Sequence, residues 1–218
     1  MQESVVSQGH VLGAESCAGG SAVTCKRVAD VVLSLFGLLL ASPVLLVFGI
    51  AIAIQSPGPV IYSQERVGRH RKPFRLYKLR SMMTDAETDG PQLSFPGDPR
   101  VIPVGHFMRK YHIDEIPNLW NVLIGDMSIV GPRPERAYFI EKIIARAPEY
   151  AKLHRIKPGL TSWGMVRHGY AYDVEGMISR MKYDMVYLEE MSTWFDLKVI
   201  YHTIITVIQG EGKNKETK

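Results

Sequence analysis

Residues 31–54 read VVLSLFGLLLASPVLLVFGIAIAI, 24 positions without a charged side chain. A helix rises about 1.5 Å per residue, so a straight run of this length would cross a hydrocarbon core about 30 Å thick. It is longer than the apolar core of a signal peptide, and no small-x-small cleavage site ends it before the QSPGPV turn. The segment is therefore expected to stay in the mature protein. Two features speak against a simple span. Ser42-Pro43 falls mid-run, where proline removes a helical hydrogen bond and bends the chain, and a serine hydroxyl can satisfy the freed carbonyl. Basic residues also flank the run on both sides: Lys26 and Arg27 before it, then Arg66, Arg69, Arg71, Lys72, Arg75, Lys78 and Arg80 after it. The cytoplasmic bias of basic residues then cannot orient a span, whereas a segment that enters, breaks and returns keeps both flanks on one face. A re-entrant helix-break-helix is expected over residues 25–55.

The formal charge of +4 and the pI near 9.0 come mostly from those flanking clusters. A basic rim beside an apolar segment suits anionic lipid headgroups or phosphorylated ligands. No RNA- or DNA-binding motif accompanies it, so no nucleic-acid partner is expected. Cys17 and Cys25 have the spacing of neither a disulfide framework nor a metal site, which favours a reducing compartment. At 218 residues one domain is expected. Residues 1–24, rich in Gly and Ser and without a period, read as a disordered leader. Residues 56–210 hold the folded domain, and 211–218 form a polar tail.

Within that domain, Ser56-Pro57-Gly58-Pro59 stops the apolar helix. VIYSQERVG and PFRLYKLRSM read as two short strands around a basic turn, and the acidic, Gly/Pro-rich stretch 84–100 as a surface loop. Helical patterning covers Val104 to Tyr111, Asp114 to Ile124 and Pro134 to Arg146, with Pro117 and Pro134 in first turns, where proline is tolerated. KPGLTSWGMVRHGYAYD reads as a loop, followed by a helix from Val174 to Met191. The closing TWFDLKVIYHTIITVIQG is apolar enough to lie in a membrane interface with Trp194 at headgroup depth, or to serve as a core helix.

The chemistry concentrates in HIDEIPNLWNVLIGDMSIVGPRPE, residues 112–135. Asp114 and Glu115 open a helix, where carboxylates are placed routinely as caps. Arg109 lies just upstream, and Arg133, between Pro132 and Pro134, opens the next helix. Two guanidinium groups and two helix N-termini make an anion site suited to a phosphate or diphosphate. Carboxylates there would repel the phosphate unless a divalent cation, usually Mg²⁺, bridges the two. A carboxylate so neutralised could attack phosphorus and form an acyl phosphate.

From Lys26 to about Gly210 the sequence resembles the monotopic polyprenyl-phosphate hexose-1-phosphate transferases, the bacterial sugar transferase family. The resemblance rests on KR..D at 26–30, SPGPV.Y.Q.R.G at 56–68, F..YK.RSM at 74–82, DE.P.L.NVL.GDMS.VGPRPE at 114–135, KPG.T at 157–161 and YD..Y at 183–187. It implies a mostly helical α/β fold, monotopic in the membrane, with a broken re-entrant helix and interfacial amphipathic helices. The activity implied is that of a phosphoglycosyl transferase at the cytoplasmic face of the bacterial inner membrane. It moves a hexose-1-phosphate from a UDP-sugar to undecaprenyl phosphate, releases UMP, and initiates exopolysaccharide, O-antigen or other glycoconjugate assembly. Asp114 corresponds to the nucleophile that holds the sugar phosphate covalently, and Glu115 to its acidic partner, as Mg²⁺ ligand or base. Both acids are implied metal ligands. Arg109 and Arg133 would grip phosphates, Lys78 and Arg80 would add phosphate contacts, and Asp184 would be a further substrate contact. The sugar is left open, as is the oligomeric state, a homodimer included.

One departure stands out: many relatives continue KPG.T as GWAQV, whereas here Met165 replaces the glutamine. Larger relatives carry further spans and a soluble domain upstream, so a minimal catalytic form is expected. Two rivals remain at this stage. A metal-dependent glycosyltransferase using Asp114 or Asp126 would release UDP, although the chain lacks an Asp-x-Asp. A membrane scaffold, with the acidic pair as a mere cap, would release no nucleotide.

Overall fold

The computed structural model describes residues 20–210 except residue 89. Helix α1 (Gly20–Gln55) is continuous through Pro43, so the break expected at Ser42-Pro43 is not formed. The reason is local. Pro43 lacks the N–H that would bond the Leu39 carbonyl, and Ser42 Oγ donates to that carbonyl at 2.8 Å instead. The helix stops at the expected Ser-Pro-Gly-Pro. It starts at Gly20, inside the span read as a leader, whose residues 1–19 lie outside the described residues, as does the 211–218 tail.

Little of α1 is covered by protein: Leu39 is 70% exposed, Leu46 65% and Ile54 80%. Such a surface needs apolar surroundings. Yet both ends of the helix dock on the same body. At the N-terminal end Arg27 donates to the carbonyls of Val122 and Leu123 at 2.6 and 2.8 Å, and Lys26 pairs with Asp196 at 2.6 Å. The buried Asp30 accepts from Ser128 Oγ and Ile129 N–H at 3.1 and 3.0 Å. At the other end Ile52, Leu45 and Phe48 pack with Leu79, Ile102 and Met108.

Strands β1 (Ile61–Val67) and β2 (Pro73–Leu79) form the expected antiparallel hairpin, in register from Ile61 opposite Leu79 to Val67 opposite Pro73. The basic turn holds His70 and Arg71 in the left-handed region, at φ 56° and 60°. After α2 (Pro103–Lys110) comes α3 (Asn118–Ile124), which clamps β2 through the fully buried Asn121. Its Nδ2 donates to Arg75 O at 2.7 Å and its Oδ1 accepts from Tyr77 N–H at 3.2 Å. One buried amide thus fixes the strand that carries Lys78.

A second pair was not expected, and one of its strands lies in the stretch read as a loop. Strand β3 (Ser128–Val130) runs parallel to β4 (Gly159–Thr161), with Ser128 opposite Gly159 and Val130 opposite Thr161. Three residues are too few to show alternation, and a parallel partner is never adjacent in sequence. The crossover is α4 (Ala137–Ile144) and a 3-10 segment, Pro148–Arg155. Here backbones touch directly. A Cβ on Gly159 would lie 2.1 Å from Gly131 N, and one on Gly131 2.4 Å from Lys157 O. Both positions therefore require glycine.

Helices α5 (Trp163–Arg167), α6 (Val174–Glu189) and α7 (Thr193–Gln209) complete the domain. Their N-caps Ser162, Asp173 and Ser192 accept from Met165, Gly176 and Phe195 N–H at 2.9, 2.6 and 3.2 Å. A core of Ile140, Ile143, Tyr150, Leu153, Met177 and Met181 joins α4, α6 and the 3-10 segment. Helix α7 serves as a core helix on one face and is exposed on the other. Phe195 and Val199 pack under Trp163 and Tyr187, while Trp194 is 77% and Ile208 73% exposed.

Candidate active site

The helix expected over 114–124 divides in two. Asp114 and Glu115 lie in a 3-10 turn, Ile113–Glu115, and Pro117 takes the N-cap place of α3. Neither element has a side-chain cap bond, so the pair does not act as a cap. His112 turns the chain out of α2 at φ 56°, a left-handed conformation uncommon outside glycine. Arg133 does not open a helix either: α4 begins at Ala137. A residue before proline is driven out of the helical region, and both Gly131 and Arg133 precede prolines. The Gly-Pro-Arg-Pro segment is consequently extended, and it presents Arg133 to the acidic turn.

Glu115 is the centre of the cluster. Its Oε1 accepts from Lys78 Nζ at 2.5 Å and from Arg133 Nη2 at 3.2 Å. Burial alone would raise its carboxyl, but the adjacent Lys78 and Arg133 outweigh burial and hold it well below the ordinary range. Burial lowers the Lys78 ammonium, with Glu115 opposing. For Arg133, Glu115 overcomes burial and keeps the guanidinium charged. Arg133 also lies over the Tyr170 ring, 5.2 Å from its centroid, and Tyr170 stacks on His112, their Oη and Nδ1 atoms 3.2 Å apart. Asp114 is 8% exposed, and among the described residues no hydrogen bond or ion pair engages its carboxylate. One acid is held; its neighbour is unengaged.

The other sequence candidates are placed differently. Arg109 reaches the margin, where Nη2 donates to Ser94 Oγ at 2.5 Å and its charge still acts on Tyr170. Arg80, expected at a phosphate, instead donates to the carbonyls of Ser56 and Pro57 at 2.5 and 2.6 Å and ties down the turn after α1. Those carbonyls follow a helix end and have few other donors. Asp184, expected at substrate, is 3% exposed and accepts from Gly164 N–H at 2.8 Å, securing α5 on α6. Burial pushes its carboxyl up to about 6.

Sequence reasoning missed several residues. Glu135 is gripped by Arg180 at 2.5 Å and Arg66 at 3.4 Å, which anchors the segment bearing Arg133. His112 and Tyr170 carry no spacing signal, because a turn and a loop bring them together. A cavity of about 250 Å³ opens beside the cluster, with His112, Glu115 and Arg133 at one end and Met165 in its wall.

Two carboxylates, one of them unengaged, thus stand beside the cations Lys78 and Arg133. For a divalent cation the donor set is Asp114 and the second oxygen of Glu115. Among the described residues no group of three or more His, Cys, Asp or Glu gathers there. A divalent cation bound there would take at most two carboxylates from the chain and its remaining oxygens from phosphate and water.

Residues 21–210 match the model of the bacterial sugar transferases. The chain belongs to the bacterial sugar transferase family. It is 40% identical over 187 residues to UDP-N-acetylgalactosamine-undecaprenyl-phosphate N-acetylgalactosaminephosphotransferase of Aeromonas hydrophila, an alignment covering 86% of this chain and 44% of that one. It is similar to two UDP-glucose:undecaprenyl-phosphate glucose-1-phosphate transferases. The Escherichia coli K12 protein is 40% identical over 181 residues, 82% of this chain and 39% of that one. The Caulobacter vibrioides protein is 41% identical over 191 residues, 86% of this chain and 71% of that one. The chain thus spans about two-fifths of the length of the first two relatives and most of the third. Within the family, the sequence motifs map onto the Lys78–Glu115–Arg133 cluster, the glycine contact of β3 with β4, and the α1 anchors.

Proposed function

We propose that the protein transfers a hexose-1-phosphate from a UDP-sugar to undecaprenyl phosphate, with UMP as the leaving group. The observation that carries this reading is the asymmetry of the acidic pair: Glu115 is fixed between Lys78 and Arg133, while Asp114 beside it is unengaged. In the first step an Asp114 oxygen attacks the sugar-bearing phosphorus of the donor. The bond to the bridging oxygen breaks, UMP departs with the bond pair, and the sugar phosphate stays on Asp114 as an acyl phosphate. In the second step a phosphate oxygen of the lipid attacks the same phosphorus, the acyl–phosphate bond breaks, and the Asp114 carboxylate is restored. Lys78 and Arg133 stabilise the charge on the equatorial oxygens, and Arg109 takes the outer phosphate.

Glu115 fixes both cations, and because they hold its carboxyl well below the ordinary range it is a weak base and serves as an organiser of charge. Asp114 and Glu115 would hold Mg²⁺, which when bound would offset negative charge on the diphosphate.

The membrane arrangement follows from α1. Arg27 and Ile52 are 25 residues apart, about 37 Å along a straight helix at 1.5 Å per residue. A spanning helix would place them in opposite compartments, yet both dock on one folded body. In this reading the helix dips into one leaflet from the cytoplasmic face, continuous through Pro43, and α7 lies along the interface. This puts the acidic turn at the depth of a lipid phosphate. The test is to incubate the protein with UDP-sugars and undecaprenyl phosphate in vesicles. UMP release together with a lipid diphosphosugar is expected. UDP release would mean transfer of the sugar alone, and no nucleotide release would leave a scaffold.

A further inference from the structure

We infer that the cavity between α3, the β3–β4 pair and α7 holds the first isoprene units of the lipid acceptor, with its phosphate against Arg133. This rests on the proposed reaction and names the place of one substrate within it. The cavity is two-faced. At one end stand His112, Glu115 and Arg133; beyond them the wall is Leu119, Ile129, Leu160, Val166, Ile200 and Ile204. Three threonines line it too, but their hydroxyl hydrogens are committed within the protein. Thr161 and Thr203 bond each other at 2.7 Å, Thr203 donates to Val199 O at 2.8 Å, and Thr206 to His202 O at 3.0 Å. A uracil or sugar would need those groups, whereas an alkenyl chain needs only the methyls and aliphatic walls.

The position fits the same ligand. Ile204 at the mouth is 53% exposed, and the apolar surface continues on α7 to Ile208, 73% exposed. Leu119, in the opposite wall, also meets α1 at Gly37, where a Cβ would lie 3.0 Å from its Cδ1. A chain leaving the cavity thus passes onto the two apolar helices that face lipid. A volume of about 250 Å³ holds only the phosphate-proximal part of a long polyprenol, so the remainder lies in the bilayer. Met165 contributes an apolar side chain to this wall.

The experiment uses the full chain in vesicles containing undecaprenyl phosphate and two bulky variants at the mouth, Ile204→Trp and Val207→Phe. Both keep α7 apolar, and thermal unfolding checks that they fold. KM for undecaprenyl phosphate is expected to rise at least tenfold, while the burst of UMP formed from the donor alone persists. An equal rise in donor KM would place the nucleotide in the cavity and overturn the inference, as would unchanged kinetics for both substrates. A second measurement does not depend on the variants: undecaprenyl phosphate with a photoreactive diazirine on its first isoprene should label the peptide containing Ile200 to Val207. Labelling confined to α1 would overturn it. Absence of any UMP burst from the unsubstituted protein would instead refute the proposed reaction.

Discussion

Asp184→Asn separates a structural carboxylate from a substrate contact. Asp184 is 3% exposed, and its carboxyl is pushed by burial from the ordinary 3.8 up to about 6. Between those values the folded protein keeps a proton that the unfolded chain has released, so stability falls as pH rises across the window. At about 1.4 kcal/mol per pH unit, the charged form costs about 3 kcal/mol above pH 6. Asparagine removes the charge and keeps an oxygen for the Gly164 N–H at 2.8 Å. The attraction of Arg180 is already contained in that shift, whereas the new amide NH₂ lacks an acceptor there, which reduces the net gain to about 1–2 kcal/mol. For a chain of this size that is a rise in Tm of roughly 2–8 °C at pH 8, shrinking to nothing near pH 4. Thermal unfolding in detergent at both pH values measures it, with UMP release recorded in parallel. A variant destabilised equally at pH 4 and pH 8, or one that folds but releases no UMP, would refute a purely structural role.

Three other outcomes follow from the same geometry. Lys78→Met leaves Glu115 with Arg133 alone, so its carboxyl should rise toward the ordinary range. Stability from a depressed carboxylate is lost as pH falls through its folded pKa, and in the variant acid unfolding should therefore begin at higher pH, with kcat reduced. Gly159→Ala drives a Cβ against Gly131 N, and an overpacking cost of about 1–3 kcal/mol should appear as a lowered Tm. Because the displaced strand leads to Arg133, kcat/KM should fall as well, and wild-type kinetics would disconnect the glycine contact from the site. Single cysteines at Arg27 and Gln55 should react with an impermeant reagent from the same side of sealed vesicles; labelling from opposite sides would establish a span.

The sequence carried the site further than it carried the fold. Asp114, Glu115 and Arg133 stood out by their charge and spacing and Lys78 by the family resemblance, and the structure brings Lys78, Glu115 and Arg133 together. The hairpin was legible because its strands are adjacent. The β3–β4 pair was not: its strands are three residues long and 28 residues, 131–158, lie between them in a parallel crossover. Arg80 and Asp184 looked like ligands because a charged residue in a motif does not reveal which carbonyl or N–H it will meet. Ser42-Pro43 looked like a break because proline's cost is visible in sequence, whereas the bond from Ser42 to the Leu39 carbonyl that offsets it is a matter of geometry.

The central claim is that Asp114 carries the sugar phosphate. It is tested by mixing the protein with a UDP-sugar in the absence of lipid acceptor, quenching in acid, and analysing the peptide spanning 112–135 by mass spectrometry. The account predicts UMP release stoichiometric with enzyme, a hexose-phosphate adduct on Asp114, and loss of both in Asp114→Asn. UMP appearing only when acceptor is present, with no adduct, or an adduct that survives in Asp114→Asn, would contradict it.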